Sequence, residues 1–140
     1  MFNVPKHRSN TIYIVASALF AFFLWGIWAA YVNKDSTLNQ RLLSGILQGS
    51  LSLVLTVVMV GIVNFFYQQF ENSKMKLILP SVLTISCTGT LLSIAHFLAN
   101  TPNIIRTILP PLCVGLAFCF LTTIKINKIQ KDEKNESKGR

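Results

Sequence analysis

Two arginines and one histidine stand where an anion could be bound, at or near the ends of apolar segments. Arg41 and Arg106 come at the starts of two such segments, and His96 lies about one turn from the end of another. Arginine binds phosphate or carboxylate through paired N–H donors and keeps its charge at partial burial. A histidine at that depth in a membrane helix is a candidate functional residue. The three side chains predict a site for an anionic head group, although each arginine alone could simply extend toward ordinary lipids.

The short connection between His96 and Arg106 adds further anion-binding features. Thr101 precedes Pro102, a pair typical of a helix N-cap followed by proline at the first helical position. The unpaired N–H groups and the positive dipole end of that helix favour an anion. The residues that we expect to bind the substrate are therefore Arg41, His96, Asn100, Thr101 and Arg106.

Two apolar segments carry polar side chains at three- or four-residue spacing, which places those side chains on one face of a helix. On the second segment they are Gln48, Ser52 and Thr56, and on the third they include Ser93. An unpaired amide that faces lipid costs several kcal/mol, so both faces should point away from lipid. They either line a polar path that leads from the anion site or pack against neighbouring helices, and the sequence leaves both interpretations open.

The acidic residues lie outside the apolar segments, which excludes several kinds of chemistry. They are Asp35, Glu71, Asp132, Glu133 and Glu136. Proton-coupled export of cations and carboxylate-based hydrolysis both need an embedded acid. Histidine, cysteine and carboxylate groups are not at metal-ligand spacing, and no phosphate-binding glycine loop or nucleophile motif occurs. We therefore predict a protein without catalytic residues, metal or cofactor; an enzyme that uses His96 as acid or base is a weaker hypothesis, which requires His96→Gln to abolish turnover.

The elements that position these residues follow from hydropathy. Of 140 residues 51% are hydrophobic, mean hydropathy is +0.51, and four apolar runs cover residues 12–32, 43–70, 77–99 and 104–126. Each run exceeds the roughly 20 residues that a helix needs to cross a bilayer. The sequence thus predicts an all-α integral membrane bundle of four transmembrane helices over residues 1–126, followed by a basic soluble tail over 127–140. Pro110 and Pro111 have no backbone N–H to donate to a helical hydrogen bond, which predicts a kink or break in the fourth helix there.

The distribution of the +8 net charge predicts the topology. Ten lysines and arginines lie before the first segment, in the second connection and in the tail, whereas Lys34, Arg41 and Arg106 lie on the other side. The positive-inside rule then places both termini in the cytoplasm, with the protein in the inner membrane. The basic tail is attracted to anionic lipids, and its interspersed acids and lack of aromatic residues argue against nucleic-acid binding.

These features together predict a small membrane protein that binds or translocates an anionic amphipathic substrate, such as a lipid phosphate or a lipid-linked sugar. Gly45 and Gly49 form a G-x-x-x-G pattern, which lets helices approach closely in lipid. We therefore expect a homo-oligomer or a membrane-protein partner in addition to anionic lipids. The alternative is an accessory or assembly subunit of a larger membrane complex, in which the polar faces hold subunits together.

Overall fold

A computed structural model of the chain describes the backbone of residues 6–138 and the side chains of residues 12–136. It contains four α-helices, α1 (Lys6–Val32), α2 (Leu38–Gln69), α3 (Leu79–Leu98) and α4 (Ile104–Lys138). All four are long and apolar enough to span a membrane, with mean hydropathies of 1.5 to 2.2 over their most apolar windows. The predicted fold class is confirmed: the chain is a multi-pass, all-helical membrane protein.

The helix ends differ from the predicted spans where polar residues extend a helix beyond its apolar part. α2 begins at Leu38, five residues before the predicted span, because Thr37 and Gln40 form a T-x-x-Q capping pair. The Gln40 N–H donates to Thr37 Oγ1 at 3.4 Å, and the two side chains are 3.1 Å apart. α4 continues to Lys138, so the segment predicted as a soluble tail is helical as far as the structure describes it.

Pro110 does not interrupt α4, and the indole of Trp28 explains why. The helix is continuous through Pro110 and Pro111, so the predicted break is absent and only a bend remains as a prediction. Proline removes the donor that would bond the carbonyl four residues earlier, which for Pro110 is that of Arg106. Trp28 Nε1–H donates to this same carbonyl oxygen at 3.1 Å. A neighbouring helix therefore supplies the hydrogen bond that proline removes, as membrane helices require.

The chain forms two compact units, the first made of residues 1–58 and 90–110. In this unit α1 and α2 meet backbone to backbone through three glycines. A Cβ atom built on Gly26 would lie 2.9 Å from the carbonyl oxygen of Gly45, and one built on Gly49 would lie 2.8 Å from that of Phe22. The G-x-x-x-G face therefore packs within the chain, and the oligomer stays a prediction.

The second unit consists of residues 59–89 and 111–140. The hydroxyls of Ser81 on α3 and Thr123 on α4 are 3.0 Å apart and buried. Tyr67, which is fully buried near the end of α2, donates to Asn127 Oδ1 on α4 at 2.9 Å. These contacts hold the first turns of the predicted tail against the unit.

Candidate functional site: a buried histidine network and an adjacent groove

His96 is fully buried in the first unit and bonded at both ring nitrogens. Its Nε2 lies 2.8 Å from Gln48 Oε1 and its Nδ1 lies 2.9 Å from Thr101 Oγ1. An amide oxygen only accepts, so Nε2 carries the proton, and in the neutral ring Nδ1 accepts from the Thr101 hydroxyl. The Gln48 amide in turn donates to Ser52 Oγ at 3.2 Å. The network joins α2, α3 and the connection that follows α3.

The end of α3 explains the positions of two predicted site residues. Asn100 has a φ of 51°, and the Thr101 N–H donates to the His96 carbonyl at 3.0 Å while the Asn100 N–H donates to Phe97 at 3.1 Å. This is the Schellman arrangement, in which asparagine can replace the usual glycine because it tolerates a left-handed backbone. Asn100 therefore closes the helix, and it directs Thr101 back toward the histidine.

The predicted N-cap of the fourth helix at Thr101 is wrong by two residues. α4 begins at Ile104, and its first turn is closed by the Thr107 N–H, which donates to the Asn103 carbonyl at 3.0 Å. The Thr101 hydroxyl is occupied by His96 and lies 3.4 Å from that of Ser44. Thr101 fits the local N-cap pattern because it precedes a proline. Its hydroxyl is hydrogen-bonded to His96 instead, so it does not cap α4.

The cap of α4 comes from the end of α1 rather than from its own connection. Asn33 is fully buried, and its Oδ1 accepts from the Asn103 N–H at 3.0 Å. Its Nδ2 donates to the Ala29 carbonyl at 2.8 Å and to Thr107 Oγ1 at 3.0 Å. Together with Trp28, Asn33 fixes the first turns of α4. Asn33 lies outside the predicted spans, directly after the apolar run 12–32, and that position is the only local signal of its role.

A shallow, open groove of about 860 Å³ lies between the end of α3 and the start of α4. Its walls are mainly apolar, and Arg106 is the charged residue among those that line it. Arg106 and Phe97 are exposed, whereas Asn103 and Ser93 are half-buried. The lining residues are Ser93, Ile94, Phe97, Pro102, Asn103, Ile104, Ile105 and Arg106.

The structure does not bring all the predicted site residues together. His96 and Thr101 join Gln48 and Ser52 in the buried network, whereas Arg106 and Ser93 line the groove. Arg41 is exposed on the first turn of α2, and among the described residues no bond joins it to His96 or Arg106.

Most of the residues predicted to line a path are at least partly buried and form hydrogen bonds within the chain. Gln48 is fully buried and Ser52 is 7% exposed. Thr56 is half-buried and donates to the Ser52 carbonyl at 2.7 Å, a bond that satisfies a hydroxyl inside a membrane helix. Every buried side-chain nitrogen and oxygen among the described residues has a partner. In this conformation the polar faces thus pack together, and their role in translocation stays a prediction.

Comparison of the chain with protein-family models, with curated proteins and with solved structures finds no match. Within the described part of the chain, no three histidine, cysteine or acidic side chains come together in a way that could hold a metal ion. What the first unit offers is one guanidinium at the rim of an apolar groove, beside the start of a helix.

Proposed function

We propose that this protein binds an anionic amphiphile, such as a lipid phosphate or a lipid-linked sugar, in the groove between α3 and α4. The observation that supports this most directly is the single charged residue, Arg106, at the rim of a mainly apolar groove. The guanidinium of Arg106 pairs with the head group, and the apolar walls formed by residues such as Phe97 receive the chain. The backbone N–H groups of residues 104–106 have no acceptor within α4, because the carbonyls one turn earlier lie before the helix begins. They therefore interact favourably with the same negative charge.

The head group supplies most of the selectivity in this proposal. Lipid tails are as apolar as the groove, so moving an acyl chain from the bilayer into it gains little free energy. A bidentate bond between arginine and phosphate is charge-assisted and stronger than a neutral hydrogen bond. Binding rather than translocation is proposed, because Gln48 and Ser52, which would line a path, are buried in the network.

The charge distribution supports a location in the cytoplasmic membrane with both termini inside. Ten of the thirteen lysines and arginines then lie on the cytoplasmic side, as the positive-inside rule expects. In this orientation the groove opens near the outer leaflet, together with Arg41 and Arg106. The alternative, an accessory subunit held by its polar helix faces, has less support, because those faces are bonded within the chain.

Quenching of tryptophan fluorescence by brominated lipids tests the proposed site directly. The chain has two tryptophans, so all proteins carry Trp25→Phe. Trp28 contacts the Arg106 carbonyl and so reports from beside the groove. We expect brominated phosphatidic acid to quench wild type at lower mole fractions than brominated phosphatidylcholine. Arg106→Gln should lower this preference about tenfold, the effect of losing about 1.4 kcal/mol.

Arg41→Gln is the matched control, because it removes one charge from the same unit outside the groove. It should leave the preference for phosphatidic acid unchanged. Equal loss in both variants would indicate attraction to general positive charge, and an unchanged preference in Arg106→Gln would refute the groove as the site.

A further inference from the structure

α4 continues well beyond the length that a membrane requires. It contains 35 residues, whereas roughly 20 residues at about 1.5 Å each cross the hydrocarbon core. Counted from Ile104, the hydrocarbon ends near Thr123, so Lys125 and Lys128 lie on the turns that pass the head groups. These lysines are exposed.

Contacts within the second unit fix which face of this extension is open. Asn127 accepts from the buried Tyr67, and Lys134 Nζ lies 2.8 Å from Glu71 Oε1 in the connection after α2. Residues 127 and 134 are two turns apart and therefore share one face. The extension is thus attached along that face, and the opposite face is turned outward.

The outward face combines charge with apolar surface. Lys125, Lys128 and Ile129 follow the spacing of one helix face, and Ile129 is 48% exposed. An exposed isoleucine between lysines is suited to the boundary between head groups and acyl chains, where lysine extends its charge toward water. We call Lys125, Lys128 and Ile129 the basic face.

We propose that the basic face binds anionic phospholipid head groups in the leaflet from which α4 emerges. The position of the charges favours lipid over a long polyanion such as nucleic acid or an acidic protein. Asp132 and Glu133 follow on the next turn, so an extended polyanion aligned with the helix would meet negative charge. A head group in the membrane plane meets only the turns that carry Lys125 and Lys128. The proposal uses no residue of the groove.

Spin-labelled lipids provide the test, with the full-length protein reconstituted in phosphatidylcholine. The measured quantity is the selectivity for spin-labelled phosphatidylglycerol over spin-labelled phosphatidylcholine at the protein surface. A juxtamembrane lysine contributes about fivefold to binding of an anionic surface, so wild type should prefer phosphatidylglycerol. The Lys125→Gln/Lys128→Gln variant should lose this preference by several-fold, and by up to roughly 25-fold if the two effects add.

Two control variants separate the basic face from total charge and from the groove. Lys34→Gln/Arg41→Gln removes the same charge from the first unit and should keep the preference. In an Arg106→Gln background, which removes the contribution of the groove, Lys125→Gln/Lys128→Gln should still cause the loss. Circular dichroism should show equal helix content in all variants. The proposal is overturned if wild type shows no preference, if the Lys125/Lys128 variant keeps it, or if the Lys34/Arg41 variant loses it equally.

Discussion

The indole of Trp28 should be energetically coupled to Pro110, and a double-mutant cycle can measure this coupling. Trp28 Nε1–H donates to the carbonyl of Arg106 at 3.1 Å, the group that Pro110 cannot bond because it has no N–H. Trp28→Phe removes the donor and leaves the carbonyl unpaired beside a helix in lipid. Pro110→Ala restores a backbone donor to the same oxygen, so the indole becomes dispensable for that bond.

The expected magnitude follows from the value of one hydrogen bond. A typical intramolecular hydrogen bond contributes about 0.5–1.5 kcal/mol. Membrane proteins average about 0.6 kcal/mol per such bond, with a maximum near 1.7. We therefore expect Trp28→Phe to cost about 1–2 kcal/mol in wild type, including lost ring contacts. In the Pro110→Ala background it should cost about 0.5–1.5 kcal/mol less.

Reversible unfolding with SDS in mixed micelles measures the free energy of unfolding for the four proteins of the cycle. Pro111→Ala is the matched control, because the carbonyl four residues before Pro111 is that of Thr107, whereas Trp28 bonds Arg106. A coupling energy of zero between Trp28 and Pro110 would refute the reasoning. An equal coupling between Trp28 and Pro111 would show that the effect is general to the prolines and does not pass through this bond.

Three further effects are expected. Gly49→Ala should lower the free energy of unfolding by about 1–3 kcal/mol in the same assay, because the added Cβ would lie 2.8 Å from a backbone oxygen of α1. Gly61→Ala is the control: its Cβ would have no atom within 4 Å, so this variant should be neutral or stabilising. Gln48→Leu should cost about 1–3 kcal/mol by leaving the buried histidine donor without an acceptor, and an unchanged midpoint would contradict the network. The hydrogen bond from Lys134, and then its charge, lower the pKa of Glu71 below its ordinary value of 4.5; the stabilisation is therefore present above pH 4.5 and is lost as pH falls through the lower pKa. Protection of the α4 extension against amide exchange, measured relative to the intrinsic exchange rate at each pH, should fall in that range for wild type, and Glu71→Gln should remove this pH dependence.

The sequence predicted the elements of this fold because membrane spans depend on local hydropathy. It did not predict how they are joined, because the decisive bonds connect residues distant in the chain. Asn33 and Thr107 are 74 positions apart, and Trp28 and Arg106 are 78 apart. A tryptophan near the end of a span fits an aromatic belt equally well, so nothing local shows that its N–H replaces a proline donor.

The sequence indicated Arg106 as a candidate binding residue from its place near the start of an apolar segment, which depends on the local chain alone. Arg106 lines the groove, and its binding role stays a prediction. His96 was expected beside it, but the left-handed Asn100 turns Thr101 back onto the ring, and Gln48 closes the other side. Burial of a polar face against its neighbours depends on helix packing, which hydropathy does not report.

The hydroxyl of Thr101 allows the histidine network to form two hydrogen-bond patterns with the same heavy-atom positions. A hydroxyl can donate or accept by rotating one bond, whereas Gln48 Oε1 accepts in every state. With a neutral ring, Thr101 donates to Nδ1; with a protonated ring, Nδ1–H donates to Thr101, whose hydrogen then turns toward Ser44, 3.4 Å away. Both hydrogen-bond patterns fit the same heavy-atom positions. The two patterns therefore differ only in the orientation of a single O–H bond and need no movement of a heavy atom.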